Sequence, residues 1–155
     1  MRLQDVADAA YARVVILPMA PDLGLLFVRT DYSDNLAWQA ALSAATAVYD
    51  MDDFERMGAL LRPVESPAFS NLTPEELIAL AREGYLSQIA VADPQTMRDQ
   101  TVLLVDFNGL NGQVGRTFRS IPPEVEPIVA NLSLANMDFA EFADNTNPDG
   151  IFCGF

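Results

Sequence analysis

Three runs of apolar residues that we predict to be β-strands each end in an aspartate. The runs are FVRTD, IAVAD and LLVD, and their last residues are Asp31, Asp93 and Asp106. Ligands of open α/β sheets collect outside the carboxyl ends of parallel strands, and Mg²⁺ prefers carboxylate oxygens. If the three strands end at one edge of a sheet, these residues could hold Mg²⁺ for a metal-dependent enzyme or sensor.

Each of these aspartates also has an ordinary structural explanation. An aspartate after a strand starts a turn or caps the next helix, as Asp93 before Pro94 can. Asp106 precedes the segment NGLNGQVG, which we predict to be a long hairpin loop, and an antiparallel strand would point Asp106 away from the other two. Arg29 lies inside the first strand and needs an acceptor, for which Asp31 on the same strand face is the candidate.

The composition excludes several kinds of catalytic site. The chain has no histidine, and all nine basic residues are arginines. A Ser-His-Asp triad, a histidine metal ligand, a lysine Schiff base and a P-loop lysine are therefore impossible. The carboxylate pair Glu75-Glu76 does not serve acid/base chemistry, because adjacent residues do not face each other on a helix. We assign no catalytic residue and no cofactor, with Mg²⁺ as the alternative.

The charge balance points to the kind of partner that suits this protein. The chain has 22 acidic residues and a formal net charge of −13. Nucleic-acid binding depends on basic side chains, so such a surface favours a basic protein partner or simple solubility.

Arg2 is followed by acidic residues where a secretory signal needs an apolar run, and no apolar stretch is long enough for a membrane span. With Cys153 as the single cysteine, we expect a cytoplasmic protein that binds neither nucleic acid nor membrane.

The order of the predicted elements is typical of an α/β layered domain. Strands are predicted at 25–30, 60–65, 88–92, 101–106, 116–120 and, as a short terminal strand, 151–152. Helices are predicted at 34–49 with Ser33 as N-cap, at 74–84 after a Thr73/Glu76 capping box, at 124–134 and at 139–143. Shorter helical segments are predicted at 3–12 and 52–57. We expect a single domain over 1–155, with a mixed, partly parallel sheet of about five strands flanked by helices.

The C-terminal segment NMDFAEFADNTNPDGIFCGF is unusually rich in phenylalanine for a chain end. Asp138 and Glu141 predict a capped helical turn, and Asp149-Gly150 predicts a turn that returns Phe152 and Phe155 toward the core. This tail is interpreted as a folded clasp, with Cys153 as a buried or inert thiol.

The polar loop of the tail is the part that can meet a partner. Its candidate partner-binding residues are Asp144, Asn145, Asn147 and Asp149. A calcium loop in this register fails, because the glutamate needed at position 12 would follow the last residue of the sequence.

Several motifs together resemble a family of small acidic proteins of unknown function, found mainly in actinobacteria. The motifs are LVRTDYSDNLAWQA, PAFSNLTPEEL, RTFRSIP and the tail, and the resemblance covers about residues 25–155, leaving 1–24 as an N-terminal extension. The tail of the family resembles this chain at Asn136, Met137, Asp138, Phe139, Glu141, Phe142, Asp149, Gly150, Phe152, Gly154 and Phe155. Cys153 stands where the family has an arginine, so a charged role there does not carry over. The resemblance implies no activity.

The sequence therefore leads to two hypotheses. The first is a non-enzymatic, acidic binding module for a basic protein partner, one form of which is an immunity-type inhibitor. The alternative is a divalent-metal-dependent enzyme or sensor built on Asp31, Asp93 and Asp106.

Overall fold

Eight strands and five α-helices are formed by residues 15–49, 57–108 and 114–155, which are the parts of the chain described by this computed structural model. The strands are β1 (Ile16–Leu17), β2 (Leu25–Arg29), β3 (Leu61–Val64), β4 (Ala81–Arg82), β5 (Gln88–Ala92), β6 (Val102–Asp106), β7 (Thr117–Ser120) and β8 (Ile151–Phe152). The helices are α1 (Asn35–Thr46), α2 (Pro74–Ile78), α3 (Pro94–Asp99), α4 (Pro122–Ser133) and α5 (Phe139–Ala143), with a 3₁₀ turn at Pro67–Phe69. The predicted segment 3–12, nearly all of 52–57 and the middle of NGLNGQVG lie outside the described ranges.

The main sheet is mixed and has six strands in the order β3-β2-β5-β6-β7-β8. Strand β2 is parallel to β3 and β5, and β7 is parallel to β8, whereas β6 is antiparallel to both of its neighbours. This confirms the predicted α/β class and the mixed, partly parallel sheet, with one strand more than expected. Strands β1 and β4 form a separate parallel pair.

These directions give the sheet two different edges. Strands β2, β3, β5 and β7 all end at one edge, which we call the carboxyl edge, and begin at the opposite edge, which we call the amino edge. Because β6 runs the other way, its last residue lies at the amino edge, where Asp106 is paired with Gln88 at the start of β5.

Both faces of the sheet are covered, so the central strands are buried along their whole length. Every residue of β2 and β6 is buried. Phe27 packs on one face with Trp38 of α1 and Ile128 of α4. Val28, its neighbour in sequence, packs on the other face with Leu77 of α2. Apolar runs without alternation, as in LLFV, are the expected signature of strands enclosed on both sides.

The helix that begins at Thr73 is shorter than its sequence predicts. The capping box is present, with Thr73 Oγ1 accepting from the Glu76 N–H at 3.2 Å, but α2 ends at Ile78 rather than near Gly84. The following residues instead form β4, and the Glu83 N–H donates to the Leu17 carbonyl oxygen at 2.9 Å. Long-range pairing with β1 thus replaces the last turns of the helix, which local propensity alone would have extended.

Two helix starts also differ from the prediction. The N-cap of α1 is Asp34, whose Oδ1 accepts from the Ala37 N–H at 3.0 Å, while Ser33 donates to Asp31. Helix α3 is absent from the predicted elements, although its signal is present in the sequence. Asp93 is followed by proline at the first helical position and by Thr96 three residues later, which together form a capping box.

The tail packs as a clasp, with two exceptions. Phe139, Phe142 and Phe152 are buried, and the Phe142 and Phe152 ring centroids lie 5.3 Å apart in an edge-to-face arrangement. The expectation that Phe155 returns to the core is wrong, since it is 79% exposed and covers Phe142 and Phe152 from outside. Cys153 is exposed rather than buried, and Asn147 Nδ2 donates to its Sγ at 3.3 Å.

Candidate functional site

The carboxyl edge of the sheet carries a buried arginine at the end of β2. The Arg29 side chain is almost wholly buried, forms an ion pair with Glu65 at 3.1 Å and donates to Asn35 Oδ1 at 2.9 Å. Its Nε donates to the backbone oxygen of Asp31 at 2.7 Å, so the ionic partner is Glu65 rather than the predicted Asp31 carboxylate. The guanidinium also lies over the Tyr32 ring, 4.4 Å from its centroid. All these contacts fix the loop that follows β2.

A second arginine, Arg119 of β7, lies at the same edge and reaches across β6 to the end of β5. Arg119 Nη1 donates to Asp93 Oδ1 at 3.0 Å, and Nη2 bonds the other carboxylate oxygen. Asp93 Oδ1 also accepts from the Thr96 N–H at 3.1 Å, which caps α3. Burial alone would raise the pKa of Asp93, but the Arg119 hydrogen bonds and charge, with the Thr96 bonds, lower it. Asp93 is therefore an ionised structural carboxylate with its oxygens already engaged.

The structure does not bring the three predicted metal ligands together. Asp31 and Asp93 follow β2 and β5 at the carboxyl edge, while Asp106 ends β6 at the amino edge. Asp31 Oδ1 accepts from both the N–H and the hydroxyl of Ser33. Among the residues that the structure describes, no three acidic or cysteine side chains are grouped closely enough to hold a metal ion.

The amino edge, in contrast, contains two adjoining cavities. The first has a volume of about 290 Å³ and lies between the start of β5, the end of β6, the last turn of α4 and the start of α5. The second, of about 390 Å³, lies between segment 19–25, segment 85–88 and the end of α4. Both are lined by Ser87, Gln88 and Leu132, so they adjoin each other, and we call the two together the amino-edge groove.

Asp106 is the most buried charged group of this groove. The residue is only 7% exposed, yet it lines the first cavity. Its Oδ1 accepts from the Asn108 N–H at 2.8 Å. Burial raises the pKa of Asp106, although the Asn108 bond and the charge of Arg116 oppose the shift. A carboxylate has about four acceptor positions, so a ligand with several donors could satisfy it further.

The walls of the groove are acidic and apolar. Asp138 lines the first cavity and Asp22 the second, while no arginine of the described ranges lines either. Met19, Leu23 and Tyr85 line the second cavity and are large, exposed apolar side chains. Leu23 adopts a left-handed backbone with φ of 59°, which is uncommon for a bulky residue.

The predicted partner-binding loop lies beside this edge, beyond α5. Asp144, Asn145, Asn147 and Asp149 are all exposed. Arg116 at the start of β7 forms an ion pair with Asp144. Asp149 Oδ1 accepts from the Ile151 N–H at 3.0 Å, and Asn145 Nδ2 donates to the Glu141 carbonyl oxygen at 2.6 Å. These bonds hold the loop in one conformation while leaving its polar side chains at the surface.

The exposed charges of the described surface are strongly unequal. Eleven carboxylates are exposed: Asp22, Asp34, Glu65, Glu75, Glu76, Glu83, Asp99, Asp138, Glu141, Asp144 and Asp149. Two of the described arginines, Arg62 and Arg98, are exposed. The other four, Arg29, Arg82, Arg116 and Arg119, each contact an acceptor or a ring of this chain. Most described arginines thus contact groups of this chain, whereas most described carboxylates are exposed at the surface.

Comparison with known proteins gives a family but no activity. One family model, described as a domain of unknown function (DUF6924), matches residues 24–155. The chain belongs to the DUF6924 family. This agrees with the resemblance to a family of unknown function over 25–155. No curated protein and no solved structure gives a match to this DUF6924 chain.

The groove of this DUF6924 domain was missed by sequence reasoning. Gln88 and Asp106 are 18 positions apart in sequence and meet only because β5 and β6 are antiparallel. Asp138 precedes α5 and reaches the same cavity from the far end of the chain. The available signal was the aspartate at the end of an apolar run, which drew attention to Asp106 but predicted Asp31 and Asp93 as its neighbours instead of Gln88.

Proposed function

We propose that this DUF6924 protein is a non-catalytic binding module for a basic protein partner, acting in the manner of an immunity-type inhibitor. The observation that carries this proposal is the surface imbalance of eleven exposed carboxylates against two exposed arginines among the described residues. A surface of one sign steers an oppositely charged partner during diffusion and raises the association rate.

The residue types of the chain support binding rather than catalysis. The chain lacks histidine and lysine, which removes the commonest general bases and nucleophile activators. The carboxylates at the carboxyl edge are bound to arginine or to local hydroxyl and amide groups.

A location in the cytoplasm, and the absence of nucleic-acid or membrane binding, stay predictions. No helix in the described ranges has the length and apolarity needed to cross a membrane.

The loop of Asp144, Asn145, Asn147 and Asp149 is proposed as one part of the partner surface. Its backbone is held by the Gly150 N–H donating to the Asn147 carbonyl oxygen at 2.8 Å and by the Asp149 side chain. A loop that is already ordered loses little conformational entropy on binding, so its contacts translate more fully into affinity.

Affinity capture at two salt concentrations tests the proposal. The immobilised protein is incubated with lysate of its source at low and at high salt, and retained proteins are identified by mass spectrometry. We expect a discrete partner with a basic surface whose capture falls steeply with salt, because exposed charge pairs are screened. If no partner is retained at low salt, or if retention is insensitive to salt, the proposal is wrong.

Two matched variants show whether the loop contributes. Asp144→Asn with Asp149→Asn removes two charges from the loop, and Asp34→Asn with Glu75→Gln removes two exposed charges elsewhere. We expect the first pair to weaken capture about tenfold and the second to weaken it only about twofold, because direct contacts outweigh long-range steering. Equal effects of both pairs would remove the loop from the partner surface.

The alternative, a Mg²⁺-dependent enzyme or sensor using Asp31, Asp93 and Asp106, remains a separate proposal. It would require ligands at two opposite edges of the sheet to act together, or a site on fewer carboxylates. The positions of these residues favour the binding module instead.

A further inference from the structure

We propose that the amino-edge groove is the recognition site for an arginine side chain of the partner, whose guanidinium binds the Asp106 carboxylate. This inference rests on the proposed function and specifies which chemical group is recognised and where. The occupant is an arginine presented by a protein. Three features of the groove support it: the burial of Asp106, the mixed polar and apolar lining of the two cavities, and the lack of a described arginine in that lining.

Asp106 is a buried carboxylate that faces a cavity. A carboxyl group that is only 7% exposed normally has a basic partner, because an isolated buried charge is unfavourable. The charge of Arg116 acts on Asp106, but Arg116 does not line the cavity. The lining of the first cavity, which includes Asp106, therefore contains no basic side chain from the described ranges. An incoming guanidinium would supply positive charge there.

The lining of the first cavity suits the chemistry of an arginine side chain. It includes the polar residues Asp106, Gln88 and Ser87 and the apolar residues Leu132 and Phe139. Arginine has a planar head with five N–H donors on an apolar stem, so one side chain can satisfy both kinds of wall. Its fork binds a carboxylate through two parallel hydrogen bonds, which a lysine ammonium cannot do.

The second cavity adjoins the first and offers a place for the residue next to the arginine. Its rim carries the exposed apolar side chains Met19, Leu23 and Tyr85. The second cavity thus suits an apolar residue of the partner.

Short peptides probe the groove directly. We would titrate the ¹⁵N-labelled full chain with acetyl-Leu-Arg-Phe amide, and with the same peptide carrying citrulline or lysine instead of arginine. Citrulline has nearly the same shape as arginine but no charge. We expect the arginine peptide to shift the amide signals of Gln88, Asp106 and Asn108, the lysine peptide to bind several times more weakly, and the citrulline peptide to produce no shift.

Substitutions identify the group that binds. Asp106→Asn should weaken arginine-peptide binding at least tenfold while leaving the rest of the spectrum unchanged, since the side chains have the same shape. Glu75→Gln removes one exposed charge on α2 and should leave the dissociation constant within about twofold. Equal shifts with arginine and citrulline, tighter binding of lysine, or unchanged binding by Asp106→Asn would overturn the inference.

The result for the groove can be separated from the result for the proposed function. If a salt-sensitive basic partner is captured equally by the wild type and by Asp106→Asn, the groove is not its recognition site and the binding module stands. If the arginine peptide binds at Asp106 but no basic protein is captured, the groove assignment holds and the proposed partner class is wrong.

Discussion

Arg119 on β7 donates two hydrogen bonds to Asp93 after β5, so this ion pair spans the intervening strand β6. The same carboxylate caps α3 through the Thr96 N–H. The Asp93 side chain thus connects β5, β7 and α3 at the carboxyl edge. This is the edge at which ligands usually bind in α/β sheets, and here Asp93 and Arg119 are bonded to each other.

The first prediction concerns this ion pair. Asp93→Asn keeps a capping side chain but removes the charge, leaving Arg119 partly buried without its counterion. We expect a loss of about 2 kcal/mol in the free energy of unfolding, measured by urea denaturation at pH 7. Arg98→Gln on the neighbouring helix, an exposed arginine, is the control and should change stability by less than about 0.5 kcal/mol.

The pH dependence of the free energy of unfolding, measured toward acid pH, gives the sign of the contribution of the Asp93 charge. The pKa of Asp93 is lowered in the folded state, so its stabilisation is present above the unfolded value of about 3.9 and is lost as pH falls through the folded value. We expect the difference between the wild type and Asp93→Asn to shrink on acidification below that point. A difference that is constant with pH would show that the charge of Asp93 does not matter.

The second prediction concerns Asp106 and has the opposite sign. Its folded pKa is raised, so its stabilisation is fully present below the unfolded pKa and is lost as pH rises through the folded pKa. Asp106→Asn should therefore be at least as stable as the wild type at pH 7, with an advantage that disappears toward acid pH. A clear destabilisation at pH 7 would show that the ionised carboxylate is held by internal bonds rather than poised for a ligand.

The third prediction compares two phenylalanines of the tail. Phe152 is 1% exposed and contacts the rings of Phe118 and Phe142, whereas Phe155 lies mostly in solvent. Phe152→Ala should cost about 3 kcal/mol, because it removes a buried side chain and leaves a cavity. Phe155→Ala should cost less than about 1 kcal/mol. Similar melting temperatures for the two variants would contradict the packing of the clasp.

The fourth prediction concerns the buried arginine of β2. Arg29→Lys retains the charge but cannot reach Glu65, Asn35 and the Asp31 carbonyl oxygen together. We expect a loss of about 2 kcal/mol by chemical denaturation, from the hydrogen bonds left unmade. Glu65→Gln keeps an acceptor oxygen but leaves the buried guanidinium without its carboxylate, and it should also cost about 2 kcal/mol. If the lysine variant is as stable as the wild type, the planar hydrogen-bond pattern of Arg29 is not needed.

The fifth prediction addresses divalent metals. A ligand that binds the folded state must raise the melting temperature by mass action. Because Asp31 and Asp93 are engaged locally and Asp106 is at the opposite edge, we expect no shift with Mg²⁺, Mn²⁺ or Ca²⁺ at millimolar concentration. A metal-dependent rise that is abolished by Asp31→Asn would favour the alternative function.

Local sequence patterns correctly predicted those elements in which local propensity and tertiary contacts favour the same structure. The apolar run before Arg29 is a strand enclosed on both faces, and the Thr73 capping box starts a helix. Prediction failed where a distant segment competed with local propensity, as at β4, which pairs with β1 instead of continuing α2. Prediction also failed at α3. The capping signal of Asp93 was present in the sequence, but it was interpreted only as the start of a turn or a cap, and no helix was predicted over the residues that follow.

The sequence by itself determined the chemistry that is available: carboxylates and arginines without histidine or lysine, on a chain of net charge −13 arranged as alternating strands and helices. Tertiary structure decided which charges meet, since contacts across a sheet depend on strand direction and order rather than on spacing along the chain. Antiparallel pairing of β6 carried Asp106 to the amino edge, beside Gln88 and Asp138, while parallel β2 and β5 left Asp31 and Asp93 at the other.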